Sequence, residues 1–441
     1  MKDTTIDLLI KREAERQNNE ICLIASENYT SKDVREAQGS ILTNKYAEGY
    51  PGHRYYGGCE FVDDVENEAI YRVCKLFGAR NANVQPHSGS QANQAVYAAL
   101  LKPYDRVLAM DLDSGAHITH VSKASYTSKL YHTKYYGLNK DDTIDLDDLK
   151  TKLYDFKPHL LIVGGSSYPR EINYEKIRNI LDEYNKDKPY TYLDERVDID
   201  DRTVYPCEIT IPKCLMMVDM AHVAGLVAAG FHQNPVQYAD IVTSTTHKTL
   251  RGPRGGFILT NDDNLHKKID TAVFPRTQGG PLMHVIAGKA ICFEEASKPE
   301  FKEYIKQLLD NRRAMQEVFK ERGFKMVAGG SDTHMIVLDL RTNPAYRVMT
   351  GKRAEDLLSF CGIITNKNTI PGDTQPKSET SGLRLGTPAI TTRGFKVEDC
   401  KTLANVICDI LILGDDITAE QRKNIRDWVS YMCQKHPLTN I

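Results

Sequence analysis

Short apolar runs alternate with helical periods through the middle of the chain, and that alternation leaves few folds open. The runs at 106–110, 159–163, 215–219, 241–244 and 256–260 are dominated by Val, Ile, Leu and Met, the length and composition of buried strands. Between the second and third, Ile177, Ile180, Leu181 and Tyr184 recur at i, i+3, i+4 and i+7, which is one face of an amphipathic helix. Strands joined through helices run parallel, and their sheet carries helices on both sides. The predicted class is therefore α/β with a mostly parallel sheet. A chain of 441 residues also exceeds what one small core can organise, so two or three lobes are expected.

The texture changes after about residue 298. A long amphipathic helix over 301–322 presents Ile305, Leu308, Leu309, Val318 and Phe319, with Gly323 placed to cap it. A strand-like run at 335–340, a Gly- and Pro-rich stretch over 371–387 and a helical tail from Val397 follow. This predicts an N-terminal arm at 1–40, a large α/β domain at 41–297 and a smaller α+β domain at 298–441. Residues 187–213 join a helix to a strand at much more than the usual length. They carry Asp194, Glu195, Asp198, Asp200 and Asp201. A solvated surface insertion is expected there, since the spacing of the acids matches no EF-hand loop.

Charge and cysteine usage exclude several classes. A formal net charge of -2 disfavours nucleic-acid binding as the main task, which needs a surplus of Lys and Arg. No C-x-x-C pair occurs among the 10 cysteines, and Cys433 and His436 approach ligand spacing with no second pair, so no metal is expected. Cysteines scattered in this way fit small apolar packing in a reducing compartment. The N-terminal residues mix charges of both signs without an apolar core, so no cleavable signal is expected. The stretch 215–231 is broken by Asp219 and His222, which rules it out as a spanning helix. No membrane association and a cytoplasmic location are the resulting expectations.

Five motifs carry the chemistry. In His87-Ser88-Gly89-Ser90-Gln91-Ala92-Asn93 a tight hydroxylated turn enters a helix, and the free N–H groups there suit one phosphate; an ordinary Ser-capped helix is the plain alternative. In Val218-Asp219-Met220-Ala221-His222 an acid stands at the carboxyl end of a buried strand, where α/β sheets bind ligands. It could pair with a protonated pyridine nitrogen while His222 reaches a ring oxygen, or it could simply cap a helix. Lys248 follows a buried strand and precedes the Gly/Pro/Arg loop 251–256, a setting for an imine-forming amine of lowered pKa, although most lysines are surface charges. Arg384 lies in Ser381-Gly382-Leu383-Arg384-Leu385-Gly386, where a guanidinium could clamp an amino-acid carboxylate or serve only the surface. The segment 44–58 crowds Tyr46, Tyr50, Tyr55 and Tyr56 around Glu48, which fits a cleft with a proton-transfer group or an aromatic loop filling an interface. A phosphate cup, a pyridinium partner and an imine-forming lysine together meet the needs of pyridoxal phosphate.

These motifs, and the chain from Leu23-Ile24-Ala25-Ser26-Glu27-Asn28 to Thr387-Pro388-Ala389-Ile390, resemble the serine hydroxymethyltransferase family in its bacterial-type pattern. The long matching stretches are 44–58, 83–93, 218–229, 245–256 and 278–290. The resemblance implies the aspartate-aminotransferase-like fold of type I pyridoxal-phosphate enzymes. It also implies a homodimer or dimer of dimers with shared active sites, and transfer of a one-carbon unit between serine, glycine and tetrahydrofolate.

By the same resemblance Lys248 holds pyridoxal phosphate covalently, Asp219 pairs with its ring nitrogen, and His117 stacks on the ring. His222 meets the ring hydroxyl, Ser166 lies beside the ring, and Gly89 and Ser90 hold the phosphate. Tyr46 and Gly279 approach that phosphate from the second protomer. Arg384 and Ser26 bind the substrate carboxylate. Glu48 and Tyr56, also from the second protomer, serve proton transfer, while Thr245 and His247 flank the lysine. Leu112, Ala116, Ile118, Tyr55, Phe274 and Asn368 fall where the family binds the pteridine. The loop Gly115-Ala116-His117-Ile118 departs from the family's Gly-Gly-His-Leu, and its alanine adds a Cβ and disfavours a positive φ. A folate-independent β-hydroxyamino-acid aldolase would keep Lys248, Asp219 and Arg384 but lack the pteridine cleft, against which Tyr55 and Asn368 speak. A catalytically silent scaffold or RNA-binding homologue is opposed by the complete set of lysine, acid and clamp.

Overall fold

The strand residues explain the layering of the molecule. In a computed structural model that describes residues 3–197, 204–342 and 349–438, seven strands form one sheet. They are β1 (Asn81–Asn83), β2 (Arg106–Met110), β3 (His132–Tyr136), β4 (Leu160–Gly164), β5 (Leu215–Asp219), β6 (Ile241–Thr245) and β7 (Gly256–Thr260). Their order across the sheet is β1-β7-β6-β5-β4-β2-β3. Every residue of β4, β6 and β7 is buried, because helices cover both faces, and continuous apolar runs are what such strands require. Strands β6, β5, β4, β2 and β3 pair in parallel, whereas β7 is antiparallel to both its neighbours. The expectation of a mostly parallel sheet holds, with β7 as its reversed member.

The parallel strands direct their carboxyl ends to one edge. Leu112 follows β2, Ser166 follows β4, Asp219 closes β5, and Lys248 follows β6. That edge is where open α/β sheets bind ligands. Helix α1 (Gly89–Leu100) begins beside it, capped by the Ser88 hydroxyl, which accepts from Gln91 N at 3.2 Å.

Beyond the helices Met283–Ala296 and Pro299–Glu321, a second sheet runs in the order β8-β9-β11-β10. Its strands are β8 (Lys325–Met326), β9 (Met335–Asp339), β10 (Asn366–Asn368) and β11 (Gly382–Gly386). The helix read from 301–322 closes with Gly323 at φ +79°, the left-handed position a C-cap glycine supplies. The apolar cluster around this sheet includes Phe319, Leu338, Leu385 and Leu403, and also Ile21 and Leu23. Those two come from the N-terminal segment, whose Ile21 and Cys22 pair in parallel with Ile363 and Ile364.

The insertion forms a regular hairpin. Strands Tyr190–Val197 and Val204–Ile211 pair antiparallel from Tyr190↔Ile211 to Val197↔Val204. Thr191, Glu208 and Thr210 are exposed, and Ile211 is buried. The predicted acids Asp198, Asp200 and Asp201 lie outside the described residues, as do the side chains of Asp194 and Glu195. Among the described residues, no helix is long and apolar enough to cross a membrane.

Candidate active site

Two loops at the sheet edge build the centre of the site. The first leaves β5 at Asp219, whose Oδ1 accepts from Ala221 N at 3.1 Å and turns the chain toward His222. The second leaves β6 at Thr245 and carries Lys248. Thr249 fastens them together: its hydroxyl donates to His222 O at 3.0 Å and accepts from Gly225 N at 2.9 Å. No side chain fits at Gly225, where a Cβ would lie 2.7 Å from the Thr249 backbone. Asn28 adds a third tie, donating from Nδ2 to Lys248 O at 2.9 Å.

Lys248 and Asp219 face one cavity of about 1250 Å³. The Lys248 side chain is buried, and Nζ donates to Thr245 Oγ1 at 3.0 Å. Burial pushes its pKa down to about 8 against the opposing charge of Asp219, with the nearby Arg384 and Arg254 adding to the fall. Asp219 Oδ2 accepts from Asn93 Nδ2 at 3.0 Å and pairs with His120 Nε2 at 3.1 Å. Burial alone would raise its pKa, but these hydrogen bonds and the neighbouring His117 hold it well below the usual carboxylate range. The site therefore keeps a fixed negative charge on the floor of the cavity, opposite an amine of enhanced nucleophilicity.

Besides His120, four histidines surround this pair, and burial keeps those four neutral. His117 falls to about 4 and His247 to about 3, burial being the largest cause in each. His222 and His334 stack at 5.4 Å with Nδ1 of the first 3.3 Å from Nε2 of the second, and both are lowered by burial. His117 Nδ1 lies 2.6 Å from Thr119 Oγ1, which fixes its ring. His117, His120 and Asp219 offer atoms within 4.8 Å of one another, but the direct pairing of His120 with Asp219 already explains that approach.

The phosphate turn passes a steric test. A Cβ on Gly89 would lie 2.5 Å from Thr245 Cγ2, and one on Gly256 would lie 2.5 Å from Ser88 O, so the turn packs tightly against the ends of β6 and β7 with no room for side chains at these glycines. Gly89, Ser90 and Asp219 line the same cavity as Lys248. A hydroxylated helix-entry turn, a carboxylate and a buried amine thus share one space, and these residues fit pyridoxal phosphate.

Arg384 reaches the cavity from β11. Its Nε donates to Asn366 Oδ1 at 3.1 Å and its Nη1 to Ser166 O at 2.8 Å. Burial lowers its pKa to about 10, so it stays charged near neutrality. Ser26, Ser166, Thr245 and His247 also line the cavity, as do Leu112, Ala116, Ile118 and Asn368 among the residues expected at the pteridine. The positive φ expected to trouble Ala116 falls instead on Gly115, at +108°, where a Cβ would come 2.7 Å from Tyr168 N. Alanine at 116 therefore meets no conformational penalty.

The remaining predicted residues assemble elsewhere. Tyr46, Glu48, Tyr55, Tyr56, Phe274 and Gly279 do not line this cavity. They form a second cluster: the rings of Tyr46 and Tyr56 meet edge-on at 5.4 Å, and those of Tyr55 and Phe274 at 5.5 Å. A Cβ on Gly279 would lie 3.4 Å from Glu48 Oε1. The charge of Glu48 raises the Tyr56 pKa. Tyr46, Tyr55 and Tyr56 are 57%, 73% and 48% exposed, an unusual density of solvent-facing aromatics.

Sequence reasoning missed His120 and Asn93 as the partners of Asp219. Asn93 stood within the phosphate motif, one helical turn beyond its glycine. His120 follows His117 at i+3, a spacing that puts both rings on one side of a short helix.

Comparison with known proteins agrees with this geometry. A family model described as "Serine hydroxymethyltransferase" matches residues 1–190 and 209–407, and the gap between its two parts falls within the hairpin. Serine hydroxymethyltransferase 3 of Pseudomonas fluorescens (strain Pf0-1) is 49% identical over 439 residues, covering 99% of this chain and 97% of that protein. The serine hydroxymethyltransferase of Limosilactobacillus fermentum (strain NBRC 3956 / LMG 18251) is 49% identical over 439 residues, 99% of this chain and 98% of its own length. That of Lactobacillus johnsonii (strain CNCM I-12250 / La1 / NCC 533) is 49% identical over 433 residues, 97% of both chains. By the extent of these matches, and with Lys248, Asp219 and the Gly89–Ser90 turn in one cavity, the chain belongs to the serine hydroxymethyltransferase family.

Proposed function

We propose that this protein interconverts serine and glycine, passing the hydroxymethyl carbon to tetrahydrofolate to give 5,10-methylenetetrahydrofolate and water, with pyridoxal phosphate held at Lys248. The supporting observation is the buried Lys248 amine facing the Asp219 carboxylate across a cavity that also contains the Gly89–Ser90 turn and Arg384. When bound, pyridoxal phosphate supplies an electron sink for the pair released as the Cα–Cβ bond of serine breaks.

The residues of the chain do the rest. Asp219, anchored by Asn93 and His120, favours a protonated ring nitrogen. With the cofactor bound, Gly89 and Ser90 would hold the phosphate, neutral His117 would cover the ring, His222 would meet its hydroxyl and Ser166 would stand beside it. Arg384 and Ser26 fix the substrate carboxylate, which orients the bond to be broken. Thr245 takes a hydrogen bond from the Lys248 ammonium and, with His247, governs its proton. Leu112, Ala116, Ile118 and Asn368 form the wall for the pteridine.

The second cluster completes the site of another copy. Glu48 and Tyr56 of one protomer enter the cavity of its partner, where Glu48 takes the serine hydroxyl proton and returns it to that oxygen as it leaves as water. In that partner site Tyr46 and Gly279 would meet the phosphate, and Tyr55 and Phe274 the pteridine. The exposure of these aromatics supports a homodimer, or a dimer of dimers, in which the cluster is covered. Residues 1–40 act as an arm, with 41–297 and 298–441 as the large and small domains. A cytoplasmic location accords with the free thiols among the described cysteines.

The test is a serine-to-glycine assay with and without tetrahydrofolate, alongside threonine cleavage. Serine turnover that requires folate supports the proposal. Threonine cleavage with no effect of folate on serine turnover would replace it with the aldolase reading.

A further inference from the structure

A second buried lysine lies behind the phosphate turn. Lys289, in the helix Met283–Ala296, is 1% exposed. An ammonium has three donors, and all of them are used on main-chain carbonyls: Val84 O at 2.6 Å, Pro86 O at 2.9 Å and Gly256 O at 2.8 Å. None is left for a carboxylate. Glu66, the acid whose charge reaches it, is occupied by Arg54 Nη2 at 2.6 Å and by Gln85 Nε2 at 2.8 Å. Burying such a cation is costly unless something nearby compensates it.

The carbonyls it chooses are informative. Val84 and Pro86 belong to the segment that runs directly into His87-Ser88-Gly89-Ser90, and Gly256 backs that turn, its Cα facing Ser88. Gly256 N donates to Pro86 O at 3.0 Å, so one ammonium joins both layers of the seat. Gln278 continues the clamp, donating to Gln85 O at 3.0 Å and accepting from His87 N at 3.0 Å. Burial pushes the Lys289 pKa down to about 7, which marks a cation short of negative charge.

We infer that Lys289 is a positioning residue for the cofactor phosphate: its three hydrogen bonds set the Ser88–Ser90 turn, and its charge is balanced by the dianion that occupies it. This rests on the reading of that turn as a phosphate seat. Lys289 touches neither substrate nor cofactor and acts through the backbone it holds.

The experiment compares binding of pyridoxal phosphate and of pyridoxal, which lacks the phosphate, by imine absorbance in wild type and Lys289→Met. Wild type should prefer the phosphorylated form strongly. The variant should bind pyridoxal phosphate about tenfold or more weakly, as expected when a buried charge behind the turn is lost, and bind pyridoxal within about twofold of wild type. Equal weakening of both ligands, or of neither, overturns the inference. Should wild type itself show no preference for the phosphate, the seat reading falls and this inference with it. If Lys289→Met fails to fold by circular dichroism, Gly255→Ala carries the test. Its Cβ would come 2.4 Å from Lys289 Cε and displace the ammonium without removing it. A selective loss of about threefold or more for pyridoxal phosphate is expected there, and an unselective or absent loss refutes the assignment.

Discussion

Replacing Arg384 with lysine keeps the charge and removes the fork. Of the five N–H groups of a guanidinium, one on Nε goes to Asn366 and one on Nη1 to Ser166. The other three, shared between Nη1 and Nη2, remain for a ligand, enough to meet both oxygens of a carboxylate in parallel. An ammonium on a flexible stem offers one point contact there and cannot also reach both anchors. The loss is then about one charge-assisted hydrogen bond, roughly 1.5–3 kcal/mol. This converts to a rise of roughly 10- to 150-fold in KM for serine, at about 1.4 kcal/mol per tenfold. Steady-state kinetics with serine varied at saturating tetrahydrofolate, and then the reverse, separate the effects. Serine and glycine should weaken together while KM for folate stays within about twofold, since Leu112 and Asn368 are untouched. A serine KM within about threefold of wild type, or an equal rise in KM for folate, would refute the clamp.

Other perturbations address the remaining parts of the site. With the free Lys248 amine as the proposed nucleophile, uptake of pyridoxal phosphate should speed up as pH rises through about 8, well below the ordinary lysine range. In Asp219→Asn that midpoint should move lower still, because the carboxylate is what holds the proton on; stopped-flow absorbance across the pH range measures both. Arg54 and Glu66 form a buried ion pair at 2.6 Å, so Arg54→Met or Glu66→Met should each cost about 3–5 kcal/mol. The double variant should cost less than the sum in urea denaturation. Lys248→Gln and Glu48→Gln proteins, each inactive alone, should regain about a quarter of wild-type activity after mixed refolding, if each site draws on two protomers. No recovery in hybrids isolated by tag would place Glu48 outside the partner's site.

Much of the central sheet was legible because its strands are buried on both faces. Residues 106–110, 215–219 and 256–260 fold as strands over the limits their apolar runs suggest. The outer strands β1, Asn-Ala-Asn, and β3, His-Thr-Lys-Tyr-Tyr, were not, since strands at a sheet's margin carry polar residues that read as loop. The reversal of β7 also left no trace in composition, because burial dictates which side chains a strand carries and not its direction. In the insertion, the consecutive charges Asp194-Glu195-Arg196 interrupt any alternation, so a hairpin read only as a solvated excursion. At the site, Lys248 and Asp219 were readable from their positions at strand ends, and Arg384 from its glycine-flanked strand. His120 was not, because pairing with Asp219 across 99 positions depends on the crossing of two loops that no local pattern encodes. Nor could spacing show that the aromatic segment around Glu48 lies apart from the lysine cavity of its own chain.

The covalent role of Lys248 is open to direct chemical trapping. Protein loaded with pyridoxal phosphate is treated with borohydride, digested and mapped by mass spectrometry. A single pyridoxyl modification on the peptide containing Lys248, lost in Lys248→Gln, is the predicted result. Modification of another lysine, or none on a protein that still turns over serine, would contradict it.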